Sequence, residues 1–450
     1  MTDNYKKILF LSLLPLLLLQ SCFVADKPFN GLPPGPWRGT LTLVPDPVSP
    51  NPKGQPLPEK VNLTFDEVSS GELPFNFEVK YKNEEEFYLE IQNGDETIEI
   101  TDIKYGIDRS TAKDTIWINF PIFDSYIKGI YEGNLIQGYW VVNNKDNYQI
   151  PFKARFGQDH RFTTLRKEPL MNISGKWQTT FTDDSGIPEA AVGEFVQEGN
   201  QVNGTFLTET GDYRYLAGTI QANKLYLSTF DGAHAFLFEA KIKEDSTMIG
   251  SFLSGNHYKA IWEAKFAPDA TLRDPNELTF LNEGYDRLNF SFPNTEGKMV
   301  SLSDEAYQGK LTIVQIMGTW CPNCRDETKF LVDYLARHPE KDLQILSLGF
   351  ERHKDKEKAI AALQRYKSGM NIPYEVLLAG QSDKKEAAKS LPMLNHILSY
   401  PTMIFIDKTG AVRKIHTGFS GPATSKYETF IEEFEQTIDQ LSSEDPKKII

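Results

Sequence analysis

From residue 23 to about 270 the chain runs in short segments that alternate apolar and polar side chains, and after Pro275 strand-like and helix-like segments take turns. A period of two puts one face of each segment inward and one outward, which is the pattern of antiparallel β structure. Phe75-Asn76-Phe77-Glu78-Val79 and Lys224-Leu225-Tyr226-Leu227-Ser228 are examples, set off by Gly, Asn and Asp turns. Over 450 residues this change of rhythm predicts a multidomain chain, with antiparallel all-β modules first and an α/β domain with a mixed central sheet last. An apolar fraction of 40% with 12% aromatics is enough to build true cores. The net charge of −14 is spread along the sequence with no basic stripe, which excludes nucleic acid as a partner.

The β half repeats itself. Gly35-Pro36-Trp37 answers Gly175-Lys176-Trp177, and Tyr148–Phe156 answers Tyr258–Phe266. The offset shrinks from 140 to 110 residues between these landmarks, so the first copy carries about thirty extra residues. Most fit between Val44 and Pro58, where six of fifteen residues are proline and neither a helix nor a central strand can run. The expected organisation is a signal peptide at 1–21, an anchor linker at 22–34, a first β module with a Pro-rich insertion at 35–160, and a second β module at 170–270. An α/β domain at 280–442 and a short tail at 443–450 complete it. Each module is expected to be a small barrel or sandwich with a structural or partner-docking role, because no convergent polar constellation marks a ligand site. His160, His234 and His257 are too isolated to be ligands.

In the α/β part, strands are expected at Leu311–Met317, Leu343–Phe350, Tyr374–Leu378, Thr402–Asp407 and Ala411–Ile415. Helices are expected at Pro322–Arg337, Lys356–Tyr366, Lys384–Lys389 and Lys426–Leu441. In the last, Tyr427, Phe430, Ile431, Phe434, Ile438 and Leu441 share one face at helical spacing.

Only three cysteines occur in the chain. Cys22 ends a leader made of Lys6, Lys7 and an apolar run from Ile8 to Leu19. Twelve residues span about 18 Å as a helix, short of a hydrocarbon core of about 30 Å. The ending Leu19-Gln20-Ser21-Cys22 resembles the lipobox of bacterial lipoproteins, which implies lipidation of Cys22, a membrane anchor and a cell-envelope location facing the periplasm. Disulfide chemistry persists in that compartment.

The other two cysteines form Trp320-Cys321-Pro322-Asn323-Cys324, between a buried-type strand and an amphipathic helix. That context places Cys321 at a helix N-terminus, where unpaired N–H groups and the positive dipole end favour a thiolate. Cys324 lies one turn on, in reach to resolve a mixed disulfide on Cys321. A zinc site would need about four ligands and a haem attachment a histidine after Cys324, where Arg325 stands. No metal and no cofactor is therefore expected.

From about Leu288 to Leu441 the chain resembles the TlpA-like thiol-disulfide oxidoreductases of the thioredoxin superfamily. The resemblance rests on Gly318-Thr319-Trp320-Cys321-x-x-Cys324, the extra helix and strand at 356–378, and Tyr400-Pro401-Thr402 before a strand. It implies that Pro401 is a cis proline lying against the dithiol, with Tyr400, Trp320 and Pro322 in contact with substrate. It also implies that Glu327 assists proton transfer; the alternative reading is a solvated carboxylate in the first helical turn. Gln315 stands where thioredoxins have a buried carboxylate, which moves the acid/base burden toward Glu327. Implied partners are protein dithiol and disulfide substrates and a membrane electron donor. The expected function is reduction of protein disulfides through a Cys321/Cys324 relay. The alternatives are disulfide oxidation or isomerisation, peroxide reduction, and a β-module binding or scaffold lipoprotein with a secondary redox domain.

Overall fold

The computed structural model describes residues 31–44, 68 and 70–445. The leader, Cys22 and nearly all of the Pro-rich insertion lie outside the described residues, as does most of the C-terminal tail. Among the described residues no helix is long and apolar enough to cross a membrane.

The first sheet runs from Gly35–Thr42 to Gln149–Phe156 through nine antiparallel strands, each paired with its neighbour in sequence except at one seam. Its first strand also pairs with its last, Trp37 opposite Phe156. The seam falls between Glu96–Ile100 and Ile103–Asp108, which follow one another without pairing. The second sheet repeats this order and closes completely. Gly175–Asp183 pairs with Tyr258–Phe266, and Pro188–Glu198 with Gln201–Thr208, so eight strands form an up-and-down barrel with a two-residue strand, Gly211–Asp212, added at one rim. Of the two architectures the sequence left open, the second unit is the barrel. Alternation of apolar and polar residues specifies strands but not whether the ends of a sheet meet. Among the described residues a single 3₁₀ turn, at Pro121–Phe123, interrupts the strands.

The sequence repeat is a structural one. Trp37 Nε1 donates to the carbonyl of Pro33 (3.1 Å) and Trp177 Nε1 to that of Ile173 (2.8 Å), each four residues back. Gly35 and Gly175 both sit at φ +117°, a conformation open to glycine, and a side chain at either would meet the ring of Phe156 or Phe266. Trp177, Phe181, Phe206, Phe238, Phe252 and Trp262 fill the second barrel's interior, as expected for an eight-stranded barrel packed by its own side chains. Both tryptophans are thus core residues.

The two β sheets pack against each other through Phe230, which meets Phe75 at 4.5 Å and Trp140 at 5.2 Å between ring centroids. Arg161 ties the junction by donating to Ser228 Oγ, the Gln92 carbonyl and Asn93 Oδ1.

The C-terminal sheet has the order Glu375–Gln381, Leu343–Glu351, Leu311–Met317, Thr402–Ile406, Val412–Thr417. The first two pairings are parallel and the last two antiparallel, giving a mixed sheet. Helices Pro322–Arg337, Lys356–Gly369, Lys384–Ser390 and Tyr427–Ser443 cover it. Phe430, Phe434, Ile438 and Leu441 are buried on the last. The strand expected at 374–378 runs from 375 to 381, because pairing with the neighbouring strand continues past an irregularity at Gly349/Phe350. A short hairpin of Ser291–Pro293 and Met299–Ser301 escaped the sequence reading, its strands being too short to show a period.

One buried cation joins the two nine-stranded sheets to helix Pro322–Arg337. Arg214, from the second barrel, pairs with Glu96 of the first sheet and Asp326 of helix Pro322–Arg337, and its Nε lies 3.2 Å from Asp231. Burial opposes its charge, but the surrounding carboxylates outweigh that and hold the guanidinium firmly protonated. Removing the cation leaves desolvated carboxylates without a counter-charge. Arg214→Met is expected to lower stability by about 3–5 kcal/mol in urea titration; an unchanged midpoint would show that the carboxylates are held by something else.

Candidate active site

The central strand Leu311–Met317 is buried along its whole length and delivers the chain to Gly318-Thr319-Trp320 at its C-terminal end. Helix Pro322–Arg337 starts there, with Cys321 as its N-cap in an extended conformation and Pro322 in the first turn, where a missing N–H costs nothing. Both cysteines are free thiols. Cys321 is 7% exposed and Cys324 fully buried. The Cys324 N–H donates to Cys321 Sγ (3.3 Å), and the Cys321 thiol donates to the carbonyl of Tyr400 (3.3 Å). The Tyr400-Pro401 peptide is cis, and the Pro401 carbonyl accepts from Gly418 N–H (2.9 Å), which ties the residue before strand Thr402–Ile406 to the residue after strand Val412–Thr417. Burial pushes the Cys324 thiol well above its ordinary range, and its hydrogen bond and charge interaction with Cys321 push the same way.

Trp320 makes the rim. Its Nε1 donates to the Phe350 carbonyl (3.0 Å), its ring meets Tyr400 edge-on at 5.4 Å, and the Arg352 guanidinium lies 4.1 Å from its ring centroid. Burial lowers the pKa of Arg352, while attraction to Cys321 and Glu351 raises it. Glu351 is buried and accepts from Thr319 N–H (3.0 Å) and Thr319 Oγ1 (2.8 Å), pinning the turn that carries the dithiol.

Glu327 lies beyond the first turn of the helix and is fully buried, which corrects the reading of a solvated carboxylate in the first helical turn. Helix Pro322–Arg337 turns this side chain inward, behind Cys324. Burial raises its pKa from the ordinary 4.5 to about 8, opposed by a hydrogen bond from Gln315 Nε2 to Glu327 Oε2 (2.9 Å). Its other oxygen has no hydrogen-bond partner. Gln315 Oε1 accepts from Ser347 Oγ (2.7 Å), and Tyr366 donates to Thr328 (2.9 Å), so a polar network lies behind the dithiol. An acid at position 315 could not donate to Glu327 when ionised; the amide can.

The sequence-selected residues Trp320, Cys321, Pro322, Cys324, Glu327, Tyr400 and Pro401 thus meet at one end of the sheet. Sequence reasoning missed Glu351, the last residue of the almost wholly buried strand Leu343–Glu351, and Arg352 just beyond it, because nothing in that apolar run marks its end as facing the dithiol. It also missed a contact from the second barrel, Asn323 Nδ2 donating to the Asp212 carbonyl (3.1 Å). No local signal links positions 111 residues apart.

Fold and dithiol together define a thioredoxin-like protein-disulfide oxidoreductase in the C-terminal third of the chain. Residues 284–415 match the model of the AhpC/TSA family. The chain is 25% identical over 138 residues to the thioredoxin-like protein YneN of Bacillus subtilis, a match covering 31% of this chain and 73% of that protein. It is also 25% identical over 138 residues to the thiol-disulfide oxidoreductase ResA of Bacillus subtilis, covering 31% and 69%. Among solved structures, a thiol:disulfide interchange protein of the thioredoxin family from Chlorobium tepidum TLS aligns with 36% of this chain and 99% of its own, at 20% identity and a TM-score of 0.28.

Proposed function

We propose that the protein reduces protein disulfides in the cell envelope through a relay between Cys321 and Cys324. The observation that carries this is the position of Cys321 Sγ, held between the Cys324 N–H and the Tyr400 carbonyl beside the cis peptide at Pro401. The Cys321 thiolate attacks one sulfur of a substrate disulfide, forming a mixed disulfide and releasing one substrate thiolate. Cys324, its proton passed toward Glu327, then attacks Cys321, releasing the second substrate thiol and leaving the Cys321–Cys324 disulfide. A membrane dithiol donor returns the two electrons. Tyr400 and Pro401 form the shelf for the substrate chain, with Trp320 and Pro322 at its edge. Lipidation of Cys22 anchors the protein with the dithiol facing the periplasm.

A peroxidase reading finds less support, because Cys324 sits one helical turn from Cys321 as its resolving partner and the peroxidatic Pro-x-x-x-Thr-x-x-Cys context does not precede Cys321. The organisation into two β modules and a redox domain, with the modules in a docking or structural role, belongs to the same proposal.

Cys324→Ser removes the resolving thiol and should hold substrates as mixed disulfides on Cys321. The expected result in intact cells is a set of adducts released by dithiothreitol and absent when Cys321 is also changed to Ser. Adducts that persist in the double variant would contradict the assigned order of attack.

A further inference from the structure

The dithiol face is not bare. The hairpin that joins Gln201–Thr208 to Gly211–Asp212 in the second barrel lies directly on it. Ser399 Oγ, just before the cis peptide, donates to the Thr210 carbonyl (2.6 Å). Asn323, between the two cysteines, donates from Nδ2 to the Asp212 carbonyl (3.1 Å). Gly421 N–H donates to Asp212 Oδ2 (2.6 Å), while Asp212 Oδ1 accepts from Arg214 N–H (2.7 Å).

These contacts are backbone-close, and glycines on both sides permit them. A Cβ on Gly211 would fall 2.2 Å from Asn323 Nδ2, and one on Gly418 would fall 2.9 Å from the carbonyl carbon of Thr210. Both glycines have positive φ, +143° and +79°. The hairpin therefore fits onto three pieces of the redox domain at once: the residues between the cysteines, the residue before Tyr400-Pro401, and the Gly418 loop that brackets Pro401. Arg214, two residues beyond the hairpin, anchors it from behind by pairing with Asp326, in the first turns of the helix that carries Cys324.

We infer that the hairpin Thr208–Asp212 is a built-in gate occupying one side of the substrate shelf, so that the second barrel decides which disulfides reach Cys321. The inference rests on the dithiol reading above. On this inference a small-molecule disulfide needs only the 7% of Cys321 that is exposed and leaves the hairpin in place. A protein disulfide, whose flanking chain must lie along the Tyr400-Pro401 shelf, has to displace it. The barrel thus selects for partners that supply replacement contacts to Asn323, Ser399 and the Gly418 loop, and it shields the thiols from bulk protein disulfides.

The test compares two probes on the full chain. In one variant, Thr208–Gly211 is replaced by Asn-Gly, a two-residue turn suited to a hairpin, which retains Asp212 and Arg214. In a second, Asp212→Asn keeps the side-chain volume but presents an amide N–H to one of the two N–H donors that the carboxylate accepts. Dithiothreitol-driven reduction of insulin reports access by a protein disulfide. Stoichiometric reduction of 5,5′-dithiobis(2-nitrobenzoate) by the prereduced protein reports the dithiol itself. The shortened hairpin should raise the insulin rate at least fivefold and Asp212→Asn at least twofold, with reduction of the small disulfide within twofold of the parent. If either variant keeps that small-disulfide activity and shows no rise with insulin, the gate is refuted. Failure of the parent to reduce the small disulfide would instead overturn the dithiol reading, and the gate with it.

Discussion

Cys321→Ser is expected to abolish reduction of protein disulfides, with a loss of at least about a thousandfold in turnover, because a hydroxyl cannot replace the thiolate as nucleophile. The fold should be unaffected: the side chain is an N-cap, and serine is among the best residues for that position. Cys324 cannot take over, since it is fully buried and its thiol is held protonated by that burial. Insulin turnover driven by dithiothreitol measures the loss, and circular dichroism checks the fold. Retained turnover in a folded Cys321→Ser protein would remove this residue from the relay.

Glu327→Gln is expected to have the second-largest effect, and to move activity and stability in opposite directions. Burial raises the folded pKa of this carboxyl to about 8 from an ordinary 4.5, so it is mostly neutral at pH 7. A native state that holds a proton the unfolded chain releases loses stability as pH rises, here progressively between about pH 4.5 and pH 8. The full shift corresponds to about 3–5 kcal/mol. Glutamine has no charge to desolvate and keeps the neighbouring Gln315 in place. The variant should therefore match the wild type in urea unfolding near pH 4 and exceed it by about that amount near pH 9. Turnover should fall by about a hundredfold, the usual scale for losing a positioned proton acceptor, and its pH profile should lose the limb near pH 8. A stability difference that does not change with pH would mean that Glu327 is not the titrating group.

The features legible in the sequence were those written locally. A strand, two cysteines three apart and an amphipathic helix specify where a thiol sits on a helix end, and one turn of helix brings Cys324 beneath Cys321. Tyr400-Pro401 could be placed beside them only through the family resemblance, since nothing near position 400 points to position 321. Period-two alternation revealed the strands of both β units, and the Gly-x-Trp repeat revealed their kinship. It could not tell a closed barrel from a sheet with a seam, because closure depends on pairings such as Pro188–Glu198 with Gln201–Thr208 and on the ends of the sheet meeting.

The burial of Glu327 was equally hidden. A glutamate near the start of a helix reads as solvated until the sheet behind it is known, and Gln315, read as a missing acid, turned out to be its hydrogen-bond donor. The Arg214–Asp326 pair joins residues 112 apart, and no spacing rule reaches so far.

The most direct test of the reductase reading is the equilibrium potential of the Cys321/Cys324 pair, measured on the full chain against glutathione. A thiol held protonated, as burial holds Cys324, favours the dithiol less strongly than a stabilised thiolate would and makes the pair a better electron donor. The expected value is about −200 mV or lower; a value near −120 mV, typical of strong disulfide oxidants, would contradict it.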